Sequence, residues 1–177
     1  MNNPARILVV EDESIVAFNL QQRLSKLGYD VPAIAVSGQE SFDLVEQTLP
    51  DLVLMDIHIQ GDMDGIDVAA RLRETHAIPV IYLTAYSEDS TLERARKTRP
   101  YGYLLKPFSE RELHATIQMA FERHKLEIEL VDSQRQLQQA LDAASLGVLE
   151  LDKASTAITT SPRSADLIGW SPDQPHT

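Results

Sequence analysis

The chain contains no cysteine, which excludes disulfides and thiolate metal sites alike. It is also short of positive charge: 16 Lys and Arg stand against 27 Asp and Glu, for a formal net charge of −11. A basic face for nucleic acid, or for an anionic membrane surface, is therefore not expected. No apolar run approaches the ~20 residues that cross a bilayer. The opening "MNNPARILVVEDE" also lacks the apolar stretch of a signal peptide. These absences point to a soluble cytoplasmic protein with no membrane contact. The 177 residues suit one domain and a fraction of another.

Short apolar runs are what the sequence does have. They are "RILVV" (Arg6–Val10), "VPAIAV" (Val31–Val36), "DLVLM" (Asp51–Met55), "PVIYLT" (Pro79–Thr84) and "YGYLLK" (Tyr101–Lys106). The first, third and fourth are nearly unbroken, as in strands buried on both faces of a parallel sheet. Pro32 interrupts the second, which suits an edge. Segments of helical spacing lie between the runs. Ile15, Phe18, Leu20, Leu24 and Leu27 form the first and Gly28 stops it. Ser37 or Ser41 opens the second, which ends before Pro50. Ile66, Ala69, Ala70 and Leu72 mark the third, and "SEDSTLERARK" is a polar fourth. The alternation predicts an α/β fold of the (βα)5 kind, a doubly wound parallel sheet with helices on both faces.

Ser109 followed by Glu112 is a capping-box pattern, and neither Pro nor Gly occurs from there to Ala144. An extended C-terminal helix is expected. Leu130, Leu137, Leu141 and Ala144 trace a short heptad-like seam along it.

Function in open α/β sheets gathers beyond the carboxyl ends of strands. Here those ends carry Glu11, Asp12 and Glu13, then Asp56, Thr84 and Lys106. Two carboxylates ~4 Å apart repel by about 4 kcal/mol at an effective dielectric near 20, so such a cluster needs cations. Lys106 is one. A hard divalent ion is the natural second, because the donors are all oxygens. Together they would neutralise a phosphoryl group on Asp56, with Thr84 donating a hydrogen bond.

"ILVVEDE", "LVLMDIHIQGDMDGIDVA", "YLTAY" and "YGYLLKPF" resemble the receiver domain of two-component response regulators. The resemblance implies a flavodoxin-like sheet of strand order 2-1-3-4-5 over residues 1–123. It implies that Asp56 accepts a phosphoryl group from a histidine kinase or histidine phosphotransfer protein. Glu11, Asp12, Asp56 and the backbone carbonyl of His58 would hold Mg2+. Thr84 and Lys106 would contact the phosphoryl group, and Thr84 and Tyr103 would form the switch. The Lys106–Pro107 bond is expected to be cis. A homodimer through the fourth helix, fifth strand, fifth helix and C-terminal helix is the expected assembly. Two features depart from the family pattern: Glu11 stands where Asp is commoner, and the loop "QGDMDG" is longer by a residue and lacks a proline.

Residues 124–144 read as a helical or coiled-coil linker. Residues 145–177 resemble the start of a PAS sensor domain, cut short. This makes the chain an alternative candidate for the N-terminal input module of a PAS-containing hybrid histidine kinase or cyclase. A remote alternative takes Asp56, His58 and Gly61 as the D-x-H-x-x-G of cobalamin-binding domains. That reading needs a Gly-Gly pair, which the sequence lacks.

Overall fold

The computed structural model describes residues 4–85, 89–143, 149–151 and 158–160. In chain order these form β1 (Ile7–Val10), α1 (Ser14–Lys26), β2 (Ile34–Ala35), α2 (Gly38–Thr48), β3 (Leu52–Asp56) and α3 (Gly65–His76). Then come β4 (Val80–Thr84), α4 (Asp89–Lys97), β5 (Gly102–Leu105), α5 (Glu110–Ala143), β6 (Leu149–Leu151) and β7 (Ile158–Thr160). The first five strands make one parallel sheet in the order β2-β1-β3-β4-β5. This is the expected doubly wound fold. The chain divides into two compact units, Met1–Lys125 and Leu126–Thr177.

The alternation along each strand sorts the core into two layers. Ile7, Val9, Leu52, Leu54, Ile81 and Leu83 face one way, packing with Leu20 and Leu24 of α1 and Leu113 and Ile117 of α5. Leu8, Val10, Val53, Met55, Val80 and Tyr82 face the other, packing with Val45 of α2, Val68 and Leu72 of α3 and Ala95 of α4. Each fully buried Val, Leu or Ile contributes about 1.5–3 kcal/mol, so β1, β3 and β4 make a firm base for what stands at their ends.

Local chemistry trims the expected elements. Strand β2 keeps only Ile34 and Ala35, paired with Val9 and Val10, because Pro32 has no N–H for a ladder. Gly28, at φ +89, ends α1 in the left-handed region as expected. Ser37 caps α2 by accepting the Glu40 N–H. The Ser109–Glu112 box is closed in both directions.

The expected apolar stripe of α1 is corrected. Ala17, Leu20 and Leu24 are the buried set, whereas Ile15 and Phe18 are 86% and 60% exposed. Both lie on the far side of the helix from the buried positions.

Helix α5 buries Leu113, Ile117 and Ala120 in its first turns. From Lys125 to Ala140 every residue is exposed. Leu130 and Leu137 of the expected seam are among them, and Ala144 lies outside the described residues. Of the expected PAS-like segment, only β6 and β7, an antiparallel pair, lie within the described residues.

Candidate functional site

Parallel pairing brings the carboxyl ends of the central strands to one edge. Asp56 pairs with Leu83, the residue before Thr84, and Thr84 pairs with Leu105, the residue before Lys106. Val10, paired with Met55, sets Glu11 beside Asp56. The sheet thus assembles Glu11, Asp56, Thr84 and Lys106 from four strands.

One ammonium joins two buried carboxylates. Lys106 Nζ donates to Glu11 Oε2 and to Asp56 Oδ2, each at 2.5 Å. Glu11 is wholly buried and Asp56 is 6% exposed. Burial pushes the Glu11 carboxyl above its ordinary 4.5; the Lys106 hydrogen bond only partly offsets that, and the charge of Asp56 adds to the rise. Burial alone would lower Lys106, but its bonds to Asp56 and Glu11 hold the ammonium above its usual value. The remaining oxygens are tied to backbone: Asp56 Oδ1 accepts the His58 N–H at 3.0 Å, and Glu11 Oε1 accepts the Glu13 N–H at 3.3 Å.

Asp12 is half-buried beside Glu11. Thr84 is buried, and its hydroxyl donates to the Ala85 carbonyl at 2.7 Å. Tyr103 is 38% exposed on β5, its ring 5.8 Å from that of Tyr82. The His58 side chain is exposed. The Lys106–Pro107 bond is cis, as expected.

Two carboxylates against one ammonium leave a charge of −1, and Asp12 makes it −2, so the donor set fits a hard divalent cation. Among the described residues, no three His, Cys, Asp or Glu side chains form a ready metal cage. Mg2+ does not require a cage, since it keeps several waters and takes one or two carboxylates. Asp12, Asp56 and the His58 carbonyl, with Glu11 behind them, are the residues that could hold it.

The surroundings hold residues that spacing along the sequence did not single out. A Cβ at Gly65 would meet the Asp56 carbonyl oxygen at 1.9 Å, so only glycine lets α3 start this close to the site. The Asp-Gly pair at Asp64–Gly65 was the available signal. Asp64 caps α3 through the Ile66 and Asp67 N–H groups and also accepts from Arg94 of α4 at 2.7 Å. Arg23 of α1 donates to the Phe108 carbonyl at 2.8 Å and lies over the Phe108 ring. Nearby, Lys26 pairs with Glu110 at 3.0 Å. These partners are far apart in sequence, and no local pattern announces them.

Known proteins share this fold. The response regulator receiver domain family matches residues 7–118. The transcriptional regulatory protein PdtaR of Mycobacterium tuberculosis is 38% identical over 122 residues, covering 69% of this chain and 59% of that protein. The match thus spans less than two thirds of that relative's length.

Among solved structures, one is the signal receiver domain of a modulated diguanylate cyclase from Desulfovibrio desulfuricans G20. It is 37% identical with a TM-score of 0.68, over 71% of this chain and 99% of that one. Another is the N-terminal domain of a response regulator/sensory box/GGDEF 3-domain protein from Carboxydothermus hydrogenoformans. It is 34% identical with a TM-score of 0.64, over 70% of this chain and 98% of that one. With the sheet order, the strand-end chemistry and these matches in agreement, the chain belongs to the response regulator receiver domain family of two-component signalling.

Proposed function

We propose that Asp56 is the phosphoacceptor of this receiver and that a phosphohistidine is the donor. The supporting observation is the bridge from Lys106 to both Glu11 and Asp56. It fixes the buried Asp56 carboxyl at the strand ends with an ammonium against it. In an in-line displacement an Asp56 oxygen forms the new O–P bond while the N–P bond breaks. The electron pair returns to the leaving imidazole, which takes a proton from solvent. Lys106 turns from carboxylate to phosphoryl oxygen, and the Thr84 hydroxyl leaves the Ala85 carbonyl to donate to another. Mg2+, held by Asp12, Asp56 and the His58 carbonyl with Glu11 behind them, would supply the remaining charge compensation.

The movement of Thr84 vacates space beside β5, and Tyr103, partly exposed and next to Tyr82, would enter it. This is a population shift between two states. It alters the surface of α4, β5 and α5, where Leu105 and Met119 are 47% and 71% exposed. Dimerisation through that face and the exposed length of α5 is the assembly we assign. The net charge of −11 supports a reading without nucleic acid. No helix among the described residues is long and apolar enough to cross a membrane, in keeping with a cytoplasmic assignment.

Residues 1–123 are then the receiver, 124–144 the helical linker and 145–177 the opening of a PAS-like domain. A second reading, an input module of a larger PAS-containing kinase or cyclase, draws support from the solved relatives, one a modulated diguanylate cyclase and one a sensory box/GGDEF protein.

Incubation with acetyl phosphate and Mg2+ should give a base-labile phosphoprotein, and Asp56→Asn should abolish the label. Retention of an aspartyl phosphate in that variant would sink the assignment.

A further inference from the structure

Both buried carboxylates converge on Lys106, yet Lys106 lies just past the end of β5, on the loop that leads into α5. The loop is fastened from across the molecule. Arg23 Nη2 donates to the Phe108 carbonyl at 2.8 Å, and its guanidinium carbon sits 5.1 Å from the centroid of the Phe108 ring. A guanidinium is a planar fork that hydrogen-bonds and stacks at once, which a lysine ammonium cannot reproduce. Phe108 is itself partly buried against the core layer shared by α1 and α5. Helix α1, which bears Arg23, begins at Ser14, just after the acidic segment Glu11–Glu13. Arg23 therefore ties the element that follows the acids to the loop that carries the base.

We propose that Arg23 is a positioning residue for phosphoryl transfer, holding the Lys106–Phe108 segment so that the ammonium stands between Glu11 and Asp56. The proposal rests on the reading of Asp56 as phosphoacceptor. Arg23 would touch neither phosphoryl group nor metal. Its effect passes through Lys106, which gives it a signature. A loosened lysine binds a phosphoryl mimic poorly, but it also competes less with a cation for the two carboxylates.

Calorimetric titration of the full chain with Mg2+ alone, and then with Mg2+ and beryllofluoride, tests this. Arg23→Met should weaken beryllofluoride binding roughly 5- to 20-fold, the scale of a small misplacement of a reacting group, while Mg2+ alone binds at least as tightly as before. Arg23→Lys should fall between. Lys26→Met is the control. It removes the exposed Lys26–Glu110 pair between the same two helices without touching the Phe108 carbonyl, and it should bind both probes as the unsubstituted protein does.

Wild-type beryllofluoride affinity in Arg23→Met overturns the proposal. So does an equal loss in Lys26→Met, or a loss of Mg2+ and beryllofluoride together. Should circular dichroism show Arg23→Met unfolded, Arg23→Lys decides alone, and wild-type affinity there overturns it. Failure of the unsubstituted, folded protein to bind beryllofluoride would instead bring down the phosphoacceptor reading and the role of Arg23 with it.

Discussion

Removing the charge of Asp56 should change stability as well as chemistry. The pocket holds two buried carboxylates on one ammonium; Asp56→Asn leaves Glu11 and Lys106 as a balanced pair. In Mg2+-free buffer the variant should be the more stable of the two, because the repulsion between Glu11 and Asp56 is relieved while Lys106 keeps a carboxylate partner. Millimolar Mg2+ should stabilise the unsubstituted protein selectively and close the gap, as read by urea unfolding.

Glu11 gives a pH signature of definite sign. Its folded value lies above 4.5, raised first by burial, so its contribution is full below the unfolded value and fades as pH rises through the folded one. Metal-free protein should lose that increment on going from acid towards neutral pH, and Glu11→Gln should flatten the profile there. The charged residues of this pocket were legible because strand ends are: an apolar run that stops at an acid, a hydroxyl or a lysine marks both the strand and its product. Gly65 and Arg23 were not. Their roles depend on an oxygen and a carbonyl brought near by folding: the Asp64–Gly65 pair announces a turn but not the approach of the Asp56 carbonyl, and nothing beside Arg23 in the sequence distinguishes it from a surface residue.

At the scale of elements, α4 and α3 are held together by polar ties. Of the side chains described in α4, only Ala95 is buried, while Arg94 reaches both Asp64 and Asp67 at the start of α3. Burial works against ionisation of Asp64, but Arg94 and the backbone N–H groups it caps hold its carboxyl below the ordinary 3.8. Its contribution is therefore present above that value and lost as pH falls through the depressed one. Asp64→Ala should cost about 1 kcal/mol at neutral pH, as loss of a cap does, and less once pH drops below that window. Leu49 ends α2 at φ 46 while 69% exposed, a left-handed conformation that costs a side-chain-bearing residue about 1 kcal/mol or more. Leu49→Gly should raise the melting temperature. Helix periodicity located these elements well. It erred on α1, where the six apolar positions could be divided between core and solvent in more than one way, and Ala17 took the inward place from Phe18.

At the scale of the whole molecule, the question is what clothes the exposed span of α5. An isolated helix of such length is marginal in water without packing, and Leu130 and Leu137, a heptad apart, leave a narrow apolar stripe on it. If that stripe meets its copy in a dimer, single cysteines introduced into this cysteine-free chain report it directly. Leu130→Cys and Leu137→Cys should give disulfide-linked dimers on mild oxidation, and Asp132→Cys, on the opposite side of the helix, should not. Equal yields from all three positions would count against a defined seam.

The same exposed span also makes the helix a shaft whose angular setting can be dialled. Each residue of an α-helix turns the axis by about 100° and advances it about 1.5 Å. Two residues inserted between Lys125 and Ala140 would swing everything downstream through roughly 200°, whereas seven would bring it back to within about 20° of its starting azimuth. Asp56, at the end of β3, would be untouched in every case. Insertions of graded length therefore separate the chemistry of this protein from its mechanics: phosphorylation should be constant across the series, and any response carried by rotation should rise and fall with the helical repeat.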